Sequence, residues 1–213
     1  MEAEPEEWMP ILSKSYRFLR NLGVGDLTVY GSQSLMFFLD KPLASKNIDL
    51  LGSVNINQVI ELSRYLMEME RFEARRIVEG YMYTIYAKTS LGKPIVVEVF
   101  TSTPLGTVSD LTEYIVEKEI YGEKYWTITP SLYIALKLAS HHSLTARDVE
   151  IINKIIDITN LNETVEIIRR RRKMEDSKRK LTEAIEKKLK IKNTLLEVFS
   201  IKLNENMGNP FSY

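Results

Sequence analysis

Apolar and polar residues follow two kinds of pattern along the first half of the chain. Apolar residues recur every three or four positions over residues 6–21 and 55–70, which predicts two amphipathic helices. Residues 27–30 and 48–51 are short apolar runs that predict strands, and residues 33–39 are predicted to form a helix after the first of them. The first half is therefore expected to alternate helix and strand.

Glycines divide the next stretch into short segments. Residues 72–78, 81–88 and 95–101 are rich in β-branched and aromatic residues, and Gly80 and Gly92 fall between them. Glycine between such runs is typical of a tight turn between strands. We therefore predict a three-stranded meander here.

From residue 111 onward the pattern becomes mostly helical. Helices are predicted over residues 111–118, 131–141 and 145–157, and Pro130 is well placed to begin the second. Residues 161–206 contain neither glycine nor proline and are predicted to form one or two long helices.

Together these elements predict a mixed α/β fold, in which a small mixed sheet has flanking helices and a helical extension. The predicted organisation is an α/β domain at 1–105, a helical subdomain at 106–160 and a long basic helix or helices at 161–206. A flexible tail is predicted at 207–213.

Charge is balanced over the whole chain but unevenly distributed. The chain has 29 Lys and Arg and 29 Asp and Glu, so its net charge does not predict nucleic-acid binding. Residues 161–213 nevertheless hold 13 Lys and Arg against 8 Asp and Glu. The densest basic run is Arg169, Arg170, Arg171, Arg172 and Lys173. This run predicts either a polyanion-binding surface for RNA or DNA, or a solvated helix face.

The same segment carries an apolar stripe that includes Leu181, Leu196, Phe199 and Leu203. Its spacing suits docking along a partner surface or a short coiled coil, which makes a homodimer one expectation.

Composition excludes several classes of site. There is no cysteine, which excludes disulfides, thiolate zinc sites and cysteine nucleophiles. The chain has two histidines, which are too few to favour a multi-histidine metal site. No apolar run approaches the roughly 18 residues of a membrane span, and the acidic start lacks the features of a signal peptide. The expectation is a soluble, cytoplasmic protein without a membrane partner.

Two groups of polar residues fall where a phosphate-and-metal site would need them. Gly31 and Ser32 lie between a predicted strand and a predicted helix, so backbone N–H groups and a hydroxyl can face an anion, although such turns are also common as purely structural features. Asn47 and Asp49 alternate along one strand and so share a face, an arrangement that suits oxygen ligands for a divalent cation.

Glu98 is a third candidate because it interrupts an otherwise apolar strand. An unpaired charge buried there would be costly, so Glu98 is expected to meet a cation, a metal or a cleft.

In order and strand placement, Gly31-Ser32, Asn47-Ile48-Asp49 and Glu98 resemble the signature of the nucleotidyltransferase fold, the superfamily that includes polymerase beta; the 14-residue spacer before Asn47 departs mildly from its usual length. Residues 127–139 and 145–152 are similar to the helical part of abortive-infection-type nucleotidyltransferases, which include toxins and uncharacterised relatives. Lys137 and Asp148 match the Lys and the (Lys/Arg)-Asp that complete the site in that family.

The resemblance implies transfer of an NMP from an NTP to an RNA or protein acceptor with Mg²⁺. It implies that Gly31, Ser32 and Lys137 bind the nucleotide. It further implies metal ligands at Asn47, Asp49 and Glu98, and catalytic roles for Asp49, Glu98, Lys137 and Asp148.

Asn47 departs from the family pattern, which has a metal-binding Asp at this position. An amide oxygen can ligate a metal but brings no negative charge, so metal affinity and catalysis are both expected to fall. A second interpretation therefore stays open, a catalytically inactive member of the fold that binds nucleic acid or a protein partner. A third is a nucleic-acid-binding protein that works through its basic C-terminal segment.

Overall fold

The computed structural model describes residues 2–67, 71–77 and 80–201, and the chain divides into two compact units, Met1–Tyr133 and Ile134–Tyr213. The predicted tail at 207–213 lies outside the described residues, as does Leu203.

The first unit alternates helices and strands before it ends in a hairpin. Its helices are α1 (Pro5–Asn21), α2 (Ile56–Met67) and α3 (Val108–Leu111), with 3₁₀ helices at Gly31–Phe37 and Thr112–Tyr114. Its strands are β1 (Thr28–Val29), β2 (Asn47–Leu51), β3 (Phe72–Ile77), β4 (Gly80–Lys88), β5 (Pro94–Phe100), β6 (Ile115–Ile120) and β7 (Glu123–Ile128). The division between the units falls within α4 (Pro130–Ala139).

One seven-stranded mixed sheet organises the first unit, with strand order β3-β4-β5-β2-β1-β7-β6. The β2–β5 and β1–β7 pairs are parallel, and the other neighbouring pairs are antiparallel. The predicted mixed α/β fold is confirmed, and the predicted meander corresponds to β3, β4 and β5.

Helices α1 and α2 supply the apolar partners of one sheet face. Alternation along β2 and β5 sends Ile48, Leu50, Val97 and Val99 to that face, where all four are buried. They share a single core with residues of both helices, among them Trp8, Leu12, Val59 and Leu62. Because this face is filled, the polar residues of the same two strands are left on the opposite one.

The helix predicted over residues 111–118 is wrong beyond its first residues. Residues 115–120 form β6 instead, which pairs antiparallel with β7. The two strands are joined by Tyr121 and Gly122, both with positive φ, 52° and 76°. Two such residues in succession make the tight turn whose twist matches a hairpin. A tyrosine at the first position gives little sign of this in the sequence.

The second unit is helical, and its last part forms three shorter helices where one or two long helices were predicted. Its complete helices are α5 (Ala146–Ile155), α6 (Leu161–Arg170), α7 (Met174–Glu186) and α8 (Asn193–Val198), and a 3₁₀ helix covers Ile156–Ile158. The breaks lie at Arg172 and Lys188, which adopt positive φ of 55° and 57°. At each break two backbone N–H groups bond back to the preceding turn, a common helix ending that usually employs glycine.

The apolar stripe in this segment faces inward. Leu181, Leu196 and Phe199 are all buried, and α6 packs against both α7 and α8. For these residues the predicted docking stripe is corrected, because the helix breaks fold them into the interior. The predicted homodimer therefore loses this support.

Candidate functional site

Two carboxylates lie side by side on the open face of the sheet. Asp49 on β2 is directly in register with Glu98 on the parallel neighbour β5, so both side chains leave the sheet on the same face. Both residues are half-buried. The sequence predicted each carboxylate separately, and the structure brings them together.

Asn47 connects the two carboxylates. Its amide Nδ2 donates to Asp49 Oδ1 at 2.7 Å and to Glu98 Oε2 at 2.5 Å. Hydrogen bonds to a carboxylate stabilise its charged form, so the amide partly offsets the repulsion between two adjacent negative charges. Asn47 thus supplies hydrogen-bond donors at the place where the family signature has an anionic ligand.

Gly31 lies in the turn that follows β1, which we call the β1 turn, and brings its backbone against Asp49. Its φ is +62°, and a methyl group built on its Cα would overlap Asp49 Oδ2 and lie 2.8 Å from the carboxyl carbon. Only a residue without a side chain allows this approach without strain. Ser32, the other predicted phosphate contact, is half-buried in the same turn, at the start of the 3₁₀ helix Gly31–Phe37.

Gln33 contacts the start of β2, next to the candidate site, and the sequence analysis did not single it out. Its side chain is buried, and Nε2 donates to the backbone oxygen of Asn47 at 2.5 Å and to Ser45 Oγ. Ser45 Oγ in turn donates to the same oxygen of Asn47 at 2.8 Å. This polar cluster fixes the start of β2. No periodic signal marks Gln33, because its partners lie in a distant part of the chain.

Tyr30 is a second residue that the sequence analysis did not single out, and it borders the site on the side of β1. Its backbone N–H donates to the carbonyl of Asp49 at 3.0 Å, and its ring meets that of Phe100 edge-on with centroids 5.2 Å apart. Burial raises the pKa of the Tyr30 phenol well above its usual range, and the charge of Asp49 adds to this effect. The phenol is therefore neutral at physiological pH.

The residues of this site fit a divalent cation in part. Asp49 and Glu98 are two adjacent oxygen ligands of the kind that Mg²⁺ prefers. Asn47 instead directs its amide hydrogens at both carboxylates. Within the described residues, no group of three or more Asp, Glu, His or Cys side chains is arranged to hold a metal. The carboxylate pair fits Mg²⁺, and Asn47 in this orientation does not.

Lys137 and Asp148 pair with each other in the second unit. Lys137 Nζ lies 2.8 Å from Asp148 Oδ1. Asp148 also caps α5, because its Oδ2 accepts from the Thr145 backbone N–H at 3.0 Å while Thr145 Oγ1 accepts from the Asp148 N–H at 3.1 Å. That these two residues complete the site of Asp49 and Glu98 stays a prediction.

Lys180 adds a third charged group to this part of the second unit. Its side chain is buried, and its ammonium donates to Ser140 Oγ at 2.6 Å and to the Lys137 carbonyl at 3.1 Å. Burial lowers the pKa of Lys180 to about 8, with a smaller contribution from Arg179. No sequence pattern marks Lys180, because it lies in a run of charged residues.

The Lys137–Asp148 pair predicts a specific pH dependence of stability. Burial acts to raise the pKa of Asp148, but the hydrogen bond and charge of Lys137, together with Thr145, outweigh it and hold that pKa below its ordinary value. A carboxyl with a lowered pKa in the folded state stabilises the protein above its ordinary pKa, and this stability is lost as pH falls through the lowered value.

We expect Asp148→Asn to lose about 1 kcal/mol of unfolding free energy at pH 7 and to show a shallower acid dependence than wild type. Urea unfolding between neutral and acidic pH measures both effects. Asp157→Asn is the matched control, because that carboxylate pairs with Lys192 while its side chain is 77% exposed. Equal acid slopes for wild type and Asp148→Asn would contradict the prediction.

The basic run lies around the turn between α6 and α7. Arg169 and Arg170 both pair with Glu166, at 3.1 and 3.0 Å, and Lys173 lies 3.5 Å from Asp176. Arg171 and Arg172 lie in the turn that follows α6. Part of the positive charge is therefore offset locally, and polyanion binding by this run stays a prediction.

Among the helices that the structure describes, none combines the length and apolar character that a membrane span requires.

Comparison with known proteins gives distant structural neighbours. No family model matches the chain, and no curated protein matches it. One solved structure similar to it is an antigenic nucleotidyltransferase-like protein from Paracoccidioides brasiliensis, with a TM-score of 0.48 and 14% identity over 98% of this chain and 100% of that one. Another is a putative nucleotidyltransferase from H. pylori, with a TM-score of 0.48 and 13% identity over 89% of this chain and 80% of that one.

Proposed function

We propose that the protein is a nucleotidyltransferase that binds an NTP on the face of β2 and β5 that carries Asp49 and Glu98, and that moves its NMP to a hydroxyl of an acceptor. The observation that carries this proposal is the adjacent carboxylate pair of Asp49 and Glu98, approached by the backbone of Gly31. Two adjacent carboxylates beside a glycine turn are anionic oxygen ligands of the kind that hold a divalent cation on a phosphate chain.

Asp49 and Glu98 would hold Mg²⁺ between them, and that ion would neutralise charge on the phosphates when it is bound. Gly31 and Ser32 would position the triphosphate through backbone N–H groups and the Ser32 hydroxyl. Lys137, with Asp148 orienting its ammonium, would add a positive charge. Attack of the acceptor oxygen on the α-phosphorus forms one P–O bond, breaks the bond to the bridging oxygen and releases pyrophosphate, while a carboxylate accepts the hydroxyl proton.

Titration calorimetry with ATP, GTP, CTP and UTP, each with and without Mg²⁺, tests this proposal. We expect Mg²⁺-dependent binding of at least one NTP. Asp49→Asn keeps the shape of the side chain but removes its charge, so we expect it to weaken that binding about 10-fold or more. Asp40→Asn serves as the control, because Asp40 is an exposed carboxylate of the same unit.

Transfer is then followed with an NTP labelled at the α-phosphate, in which label on a macromolecule reports the new bond. Binding without Mg²⁺ dependence, or equal binding by wild type and Asp49→Asn, would contradict the proposed role of the carboxylate pair.

Asn47 favours a second candidate, a catalytically inactive protein of the same fold that binds a nucleotide, nucleic acid or a protein partner. Its amide already bonds both carboxylates, so the pair is held together by the protein itself. NTP binding without detectable transfer to any acceptor would support this candidate over the first.

A further inference from the structure

The sheet face that carries the carboxylates continues without interruption to the edge of the sheet. Glu98 on β5 is in register with Thr84 on β4, and Thr84 is in register with Glu73 on β3. Neighbouring strands are about 4.8 Å apart, so β3 lies roughly 10 Å from β5 along this face. Thr84 is half-buried and Glu73 is exposed.

Cationic side chains are concentrated on this outer part of the face. The guanidinium of Arg71 lies over the ring of Tyr86, 5.2 Å from its centroid. Arg75 is opposite Met82, two positions from Thr84, and Lys88 follows Tyr86 by two positions, so alternation puts both on the same face as Tyr86. Both are exposed, and no carboxylate among the described residues forms an ion pair with either.

Tyr86 is held in place at the centre of this group. Its hydroxyl donates to Glu73 Oε1 at 2.7 Å, while Arg71 covers the ring. Tyr86 is half-buried on the sheet face that carries the carboxylates. Tyr83 on the same strand points to the core face instead and is buried. Single-stranded nucleic acids stack their bases on aromatic rings and on arginine side chains, and Tyr86 and Arg71 bring one of each together here.

We propose that this outer face, formed by Arg71, Arg75, Tyr86 and Lys88, binds the acceptor, and that the acceptor is a single-stranded nucleic acid. The inference rests on the proposed function, because it gives the transferred NMP its destination. Arg75 and Lys88 contact phosphates, Arg71 and Tyr86 stack on a base, and the strand end lies toward Asp49 and Glu98. Charge favours a polyanion on β3 and β4, since three cations among the described residues of these strands lie beside one carboxylate, Glu73, while Asp49 and Glu98 lie further along the same face.

Adjacent residues on β3 provide a matched test. Arg75 shares the face of Thr84, whereas Arg76 is opposite Tyr81 and points to the other face, and both arginines are exposed. Arg75→Ala and Arg76→Ala therefore remove the same charge, one residue apart, on opposite sides of the sheet. Only the first is expected to weaken binding.

The measurement is fluorescence anisotropy of a labelled single-stranded RNA of roughly 12 nucleotides, a length within known single-strand site sizes. A DNA of the same sequence and a poly-glutamate peptide are run beside it, all without NTP or Mg²⁺. We expect Arg75→Ala to weaken RNA binding about 5-fold and to lower the salt slope by about 0.7. We expect Tyr86→Ala to weaken it about 10-fold, and Tyr86→Phe to retain most of it.

Equal losses in Arg75→Ala and Arg76→Ala would overturn the inference, as would loss only when Arg169 and Arg170 are replaced. Binding of poly-glutamate but of neither nucleic acid would overturn it in favour of an acidic protein partner. Because no NTP is present, failure here leaves the calorimetric test of the proposed function intact. Conversely, the protein could bind RNA through Arg75 and bind no NTP. That result would support the RNA-binding surface and contradict the proposed transferase activity.

Discussion

A Gly31→Ala variant is expected to lose NTP binding and about 3 kcal/mol of its free energy of unfolding. Two effects add. Gly31 has φ of +62°, a conformation that costs a residue with a Cβ about 1–2 kcal/mol. The new methyl group would also overlap Asp49 Oδ2, so the carboxylate or the β1 turn must move, at a cost typical of overpacking.

The loss of binding follows from where that movement occurs. Asp49 has little freedom, because Asn47 donates to its other oxygen at 2.7 Å and its carbonyl accepts from the Tyr30 N–H at 3.0 Å. Displacing the carboxylate therefore breaks its alignment with Glu98. A group that must bind within a fraction of an ångström of its proper position loses function when it shifts this far.

Gly92→Ala is the control for the backbone effect alone. Gly92 also has positive φ, +76°, but nothing lies within 4 Å of the position that its Cβ would take. We expect this variant to lose about 1 kcal/mol and to bind NTP normally. Urea unfolding and calorimetry on the same samples measure both quantities. Similar losses of stability in the two variants would show that Gly31 is not in tight contact with Asp49.

The core of the candidate site could be predicted from the sequence because it depends on local rules. Alternation along a strand is enough to place Asn47 and Asp49 on one face, and a single carboxylate in an apolar strand marks Glu98. What alternation cannot give is the order of strands in the sheet. That β5 lies next to β2 follows from a connection through α2, β3 and β4, and only the structure shows the two carboxylates in register.

The errors also have a common physical cause. Tyr121, Arg172 and Lys188 adopt positive φ without being glycine, and they mark the β6–β7 turn and the ends of α6 and α7. Sequence rules associate such positions with glycine, so each break was missed. All three side chains are exposed, so neither a glycine nor a buried position marks these breaks in the local pattern.

The supporting residues of the site escaped detection for a related reason. Gln33 matters through its contacts with Ser45 and Asn47, which lie 12 and 14 positions away in the chain. Tyr30 matters through Phe100 and the charge of Asp49. Such roles depend on distant partners, whereas motif and periodicity arguments examine neighbours.

An Asn47→Asp variant is expected to bind Mn²⁺ or Mg²⁺ about 100-fold more tightly than the wild type. The substitution replaces two amide N–H donors, which lie 2.7 and 2.5 Å from Asp49 and Glu98, by a third carboxylate. At an effective dielectric constant near 20, unit charges about 4 Å apart interact by roughly 4 kcal/mol, part of which is offset by desolvation. A net gain of about 2.7 kcal/mol corresponds to the expected 100-fold change.

The same charge should destabilise the variant when no metal is present, because three carboxylates then repel one another without a bridging donor. We expect its melting temperature to fall by several degrees and to recover when Mn²⁺ is added, whereas the wild type should respond little. Calorimetry with Mn²⁺ and thermal unfolding with and without the ion measure these effects. Asn47→Ala separates charge from the loss of the amide bridge, since it removes the bridge without adding a ligand.

If Asn47→Ala gains as much metal affinity as Asn47→Asp, the amide acts only by blocking the carboxylate pair, and the argument from charge is wrong. If only Asn47→Asp gains affinity and its transfer of NMP rises in parallel, the wild-type site is limited by the missing carboxylate. Tighter metal binding without any transfer would instead support the second candidate, a protein of the same fold that binds without catalysis. The single substitution thus distinguishes a weakened transferase from a protein of the same fold that only binds.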